Sequence, residues 1–157
     1  MNAKPLPPGY SSVMPYIIVK GAAQAIEFYK KALGATERMR IPAPEGKVGH
    51  AELQIGDSVI MLADEFPEMG ARGPKSLGGT PVSFCVYVED VDKRFPQALA
   101  AGGRETRPLK DQFYGDRSGT FEDPFGHTWT IATHVEDVPP EEMARRAEKV
   151  AKEMQSA

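Results

Sequence analysis

Hydrophobic positions along this chain change their period repeatedly, and the changes mark out its elements. From Val13 to Lys20 the residues are dense in β-branched and aromatic types, which predicts a strand. After Gly21 the spacing becomes helical, with Ala22, Ala25, Ile26, Phe28, Tyr29 and Leu33 on one face and Gly34 closing the helix. Ala35 to Arg40 predicts a second strand. Over Val48 to Ile55, Ala51, Leu53 and Ile55 alternate with His50, Glu52 and Gln54, the signature of a half-buried strand. Gly56-Asp57 then turns the chain into a strand over Ser58 to Ala63. The order is βαβββ.

The same order returns about 69 residues later, and an internal repeat constrains a fold more than any single residue does. Val82 to Val88 predicts a strand, Val91 to Ala101 a helix ended by Gly102-Gly103, and Arg104 to Leu109 another strand. A hairpin follows, with strands near Ser118 to Glu122 and His127 to His134 and a turn at Pro124-Phe125-Gly126. The predicted class is α+β, with two tandem βαβββ modules in one compact domain. Residues 1–12, rich in proline, read as a flexible arm; 13–64 form the first module, 65–80 a polar, glycine-rich connection expected to be mobile, and 81–136 the second module. Residues 137–157 form a last helix, with Met143, Ala147, Val150 and Met154 on one stripe, expected to cap the domain or contact a second copy.

Composition narrows the functions. A net charge of −3 without clustered Lys and Arg gives no footprint for nucleic acid or an anionic membrane surface. No apolar run reaches the roughly 20 residues of a membrane span, and the N-terminus has no stretch of signal-peptide type, so a cytoplasmic protein is expected. The lone cysteine, Cys85, cannot form an internal disulfide and reads as a small core or cavity-wall residue.

Strand alternation selects the candidate site. If Ala51, Leu53 and Ile55 pack under helices, then His50, Glu52 and Gln54 line the opposite face, and residues two apart on a strand lie about 6.5–7 Å apart, close enough to converge on one ligand. His50 and Glu52 are the candidate acid–base pair. The alternative is structural, with Glu52 paired to Arg117 or a similar base and His50 hydrogen-bonded at the rim. The same parity turns Met14, Tyr16, Met61, Ser83, Cys85, Tyr87, Thr130 and His134 towards the ligand side, a lining that suits an amphipathic or aromatic guest. Arg117, in the segment YGDRSG, reads either as an inward anion-holding group or as half of a surface ion pair. His127 reads as a turn residue.

The strings AIEFYKKALGA, GHAELQIGDSVIMLAD and YGDRSGTFEDPFGHTWTIATHVEDV resemble the vicinal oxygen chelate superfamily of glyoxalases, bleomycin-resistance proteins and extradiol dioxygenases, and within it the PhnB-like branch. The resemblance implies that the paired modules form a cup for a small molecule, and that two copies associate. It also implies where metal-dependent members place their four ligands, namely at Met14, Met61, Ser83 and Thr130 here. Thioethers and hydroxyls are poor donors for a hard or borderline dication, so no metal and no cofactor are expected. Three readings stay open: a metal-independent small-molecule-binding protein in a homodimer; a lyase, isomerase or transferase using Glu52 and His50 or an unusual metal site; and an interaction module whose cup is plugged.

Overall fold

The computed structural model describes residues 4–155. Strand β1 (Tyr16–Val19) leads through helix α1 (Ala22–Leu33) to β2 (Thr36–Pro42), β3 (Val48–Ile55) and β4 (Ser58–Asp64). A connection carrying the one-turn helix α2 (Pro74–Leu77) leads to β5 (Ser83–Tyr87), α3 (Val91–Ala100), β6 (Arg104–Asp111), β7 (Asp116–Glu122) and β8 (Thr128–His134). Helix α4 (Pro140–Gln155) ends the described chain. Each module forms its own mixed four-stranded sheet, in the orders β1-β4-β3-β2 and β5-β8-β7-β6. No helix among the described residues is long and apolar enough to cross a membrane.

The helix-facing sides of both sheets share one core. Ile17 and Val19 on β1, Ala51, Leu53 and Ile55 on β3, and Phe121, Trp129 and Ile131 in the second module are all buried with α1 and α3. Rings join the modules, Tyr29 lying 5.4 Å from Trp129 and Phe28 lying 6.2 Å from Phe121 between centroids. The first strand starts three residues later than the apolar pattern suggests, because Val13 is 86% exposed and pairs with nothing in the sheet.

Both helices are started from the same place in the repeat. Asp64, at the end of β4, accepts the backbone N–H groups of Gly21 and Ala22 at 2.9 Å each, and its other oxygen accepts that of Val48 at 2.7 Å. Thr133, near the end of β8, accepts the N–H of Val91 at 2.9 Å. These groups satisfy amides that a helix start leaves without internal partners.

A second buried acid clasps the modules together. Asp123, 2% exposed in the turn after β7, accepts the Tyr29 hydroxyl at 2.7 Å and the Trp129 indole N–H at 2.9 Å on one oxygen. Its other oxygen accepts the N–H groups of Phe125 and His127 at 2.9 Å each. Burial, followed by the Asp123 charge, pushes the Tyr29 phenol well above its usual range. His127 adds a contact of 3.0 Å from Nε2 to the Ile18 carbonyl, so the turn touches the first module twice. The connection between modules is more ordered than its glycine content suggests: Phe66 and Ala71 form an antiparallel bridge, and Glu65 accepts the Gly73 N–H at 2.7 Å.

Candidate functional site

Strand register puts the predicted residues on the helix-free faces. Tyr16 on β1 stands beside Met61 on β4, Met61 beside Glu52 on β3, and Glu52 beside Met39 on β2, a continuous row across the first sheet. In the second sheet Cys85, Thr130 and Thr120 form the matching row, with the two threonine hydroxyls 2.9 Å apart.

Glu52 is the most constrained member. It is 3% exposed, yet lies on the face away from the helices. The Tyr10 hydroxyl, from the N-terminal arm, donates to Oε1, and His50 Nε2 approaches the same oxygen at 3.4 Å. Arg38 lies 4.0 Å from Oε2, stacks over the Tyr10 ring and donates to the Gly9 carbonyl. Burial pushes this carboxyl up, but the bonds from Tyr10 and His50 and the Arg38 charge outweigh it and hold the group below the usual carboxylate range. An ionised carboxylate only accepts, so His50 Nε2 carries the proton and Nδ1 accepts from the Tyr16 hydroxyl at 2.9 Å. Tyr16, His50 and Glu52 thus form a directed chain ending at a phenol that is 49% exposed. Gln54 turns away from it and donates to the Gly56 carbonyl at 2.9 Å.

The second sheet has a separate cluster. Tyr87 reaches across Ala132 to donate to Asp116 at 2.6 Å, and His134 Nδ1 meets the other Asp116 oxygen at 2.8 Å. The bond to Asp116 pushes the Tyr87 phenol up to about 12. His134 also meets Asp137 at 2.8 Å, so its second nitrogen is occupied.

Three expectations from sequence change here. Arg117 does not line the site and does not pair with Glu52: odd-numbered positions of β7 face the helices, so its guanidinium binds Asp92 on α3 at 2.8 Å and Asp111 on β6 at 3.0 Å. Glu52 is satisfied by Tyr10, His50 and Arg38 instead. Of the two readings of Cys85, the core one falls and the cavity-wall one stands: it is an exposed thiol on the open face that lines a cleft. Tyr10, Arg38 and Asp116 were not selected from the sequence. Asp116 shares the parity of Ser118 and Thr120 and was legible from alternation; nothing in the pattern of the arm pointed to Tyr10.

Strands β1 and β5 are the edges of their sheets, and two clefts open along β5, one of them also bordered by β1. One, of about 530 Å³, is lined by Ser83, Cys85 and Tyr87 together with Ser11, Val13 and Ser58. The other, of about 370 Å³, is lined by Tyr16 and Ile18 from β1, Phe84 from β5, Arg72 and Leu77 from the connection, and His127. The Nδ1 atom of His127 is buried without a hydrogen-bond partner among the described residues.

The four positions implied for metal ligands do not fit a hard dication. Met61 offers a thioether packed between Tyr16 and Glu52, and the Thr130 hydroxyl is engaged with Thr120. Among the described residues, no three or more His, Cys, Asp or Glu side chains are grouped to hold an ion.

Comparison with known proteins gives one family. The Glyoxalase/Bleomycin resistance protein/Dioxygenase superfamily profile matches residues 10–131. An uncharacterized protein of Mycobacterium tuberculosis is 44% identical over 135 residues, covering 84% of this chain and 79% of its own. The crystal structure of protein PA1353 from Pseudomonas aeruginosa is 28% identical, with a TM-score of 0.64 over 80% of this chain and 99% of that one. The PhnB protein from Bacillus cereus shares the fold at 19% identity, with a TM-score of 0.60 over 78% of this chain and 99% of that one.

Proposed function

Because the chain belongs to the glyoxalase/bleomycin resistance protein/dioxygenase superfamily, we propose that it is a metal-independent small-molecule-binding protein of the PhnB-like branch. The observation that carries this is the side-chain chemistry of the open faces. Thioethers and hydroxyls stand at the four positions where metal-dependent relatives are expected to hold their ion, beside partly exposed aromatic residues and two clefts. Such surfaces favour an amphipathic organic guest: Met61 adapts to its shape, and the hydroxyls of Tyr16, Ser83 and Thr130 fix its orientation. Two copies per particle are part of the proposal, supported by the exposure of Met39 and Ile41 on β2. So is a cytoplasmic setting, supported by the exposed, unpaired thiol of Cys85.

The test is native mass spectrometry of untagged protein purified without chelators. A dimer that carries no stoichiometric metal and sheds an organic mass on denaturation is the expected result; a stoichiometric divalent ion overturns the reading.

One observation favours a second reading, a lyase or isomerase. The directed chain from Tyr16 through His50 to Glu52 resembles the arrangement by which a carboxylate fixes the tautomer of a histidine base. In that case Glu52→Gln should abolish turnover of the retained molecule at nearly unchanged melting temperature. Finding the molecule chemically unaltered by the native protein would remove this alternative.

A further inference from the structure

The smaller cleft carries a guanidinium that no hydrogen bond or ion pair of the described residues engages. Its walls are mostly apolar, from Ile18, Pro74, Leu77, Val82 and Phe84, and at about 370 Å³ it suits a small guest. Arg72 belongs to the same lining, is exposed, and makes no hydrogen bond or ion pair with any described residue. The carboxylate whose charge it does sense, Glu65, is committed elsewhere. Glu65 accepts from the Ser76 side chain and the Gly73 N–H, which together with nearby Lys20 and Arg72 hold it below its usual range.

The position of Arg72 is fixed by its backbone. On one side lies the Phe66–Ala71 bridge, whose two hydrogen bonds are 2.9 and 3.1 Å. On the other lies Gly73, so close to β1 that an added Cβ would stand 2.9 Å from the Ile18 carbonyl oxygen. Arg72 lines a mostly apolar cleft, and a guanidinium, with five donors and no acceptor of its own, suits a planar anion.

We propose that this cleft binds a small organic acid, with its carboxylate or similar anionic head paired to Arg72 and its apolar body against Leu77, Val82 and Phe84. The assignment rests on the small-molecule-binding reading and adds to it the charge class and the seat of the ligand. It also relocates the anion-holding role from Arg117, whose guanidinium is spent on Asp92 and Asp111, to a residue outside the repeat pattern.

The experiment uses isotope-labelled full-length protein titrated with hexanoate and phenylacetate, and in parallel with the neutral hexanamide and phenylacetamide. Backbone amide shifts locate the site and isotherms give affinity. The acids should shift Ile18, Thr80, Val82 and Phe84 and bind about tenfold more tightly than the amides, and Arg72→Met should remove that preference while leaving the amide affinities unchanged. Arg72→Lys should restore part of it, which separates charge recognition from damage to the loop. Equal binding of acids and amides, an Arg72→Met protein that keeps its preference, or no shift at these four positions overturns the assignment. Those outcomes leave general small-molecule binding intact, whereas a stoichiometric metal in the native spectrum would sink that reading without altering the acid–amide comparison.

Discussion

At Asp123 one carboxylate holds four donors in a site that is 2% exposed. Removing it strands a phenol, an indole and two amides, each of which costs about 1–3 kcal/mol when left buried and unpaired, with partial relief by rearrangement. Asp123→Ala should therefore lower unfolding stability by about 3 kcal/mol or more in urea denaturation, and a loss below about 1 kcal/mol would show that the clasp is dispensable. His134 makes a prediction of opposite character. Its bonds to Asp116 and then Asp137 raise its pKa above the ordinary 6.5. A raised folded-state value contributes stability that is fully present below about pH 6.5 and is lost as pH rises through the folded value. An NMR titration should place the His134 midpoint above 6.5, and Asp116→Asn should bring it down; a midpoint unmoved by that change would mean that Asp116 does not set it.

Among the helices α1 to α4, α4 alone buries no residue. In its first half Arg146 ties it to the body, pairing with Glu136 at 2.8 Å and donating to the Phe113 carbonyl. The second half, Ala147 onward, should exchange its amides first, and deleting it should cost less than about 1 kcal/mol. A larger loss in the isolated monomer would reveal packing that its exposure does not suggest. The other elements were legible because their periods are imposed by burial: α1 and β3 each put one face into the core, and the sequence alternates accordingly. The apolar run from Val13 misled at its start because β-branched character is not pairing. The connection was misjudged because its order comes from Glu65, Gly73 and the Phe66–Ala71 bridge, contacts that no period announces. The same reason hid Arg72 and Tyr10, whereas the parity of β7 decides between the two readings of Arg117 in favour of the surface ion pair.

For the molecule as a whole, the shared core and the Tyr29–Asp123 bond make the two modules one cooperative unit. Heat should unfold the chain in a single transition with coincident fluorescence and circular dichroism curves, and two separated steps would contradict the joint core. The clasp is also unequal between the halves. By the repeat offset, the helix position of Tyr29 in the first module is occupied by Ala98 in the second, and the five-residue turn containing Asp123 corresponds to the two-residue turn Gly56-Asp57. One half therefore brings the tyrosine and the other the aspartate. If the gene were divided between the modules and both polypeptides were made in one cell, the halves should find each other as a mixed pair in preference to either pairing with itself. The two copies of the repeat have become complementary parts that cannot replace one another.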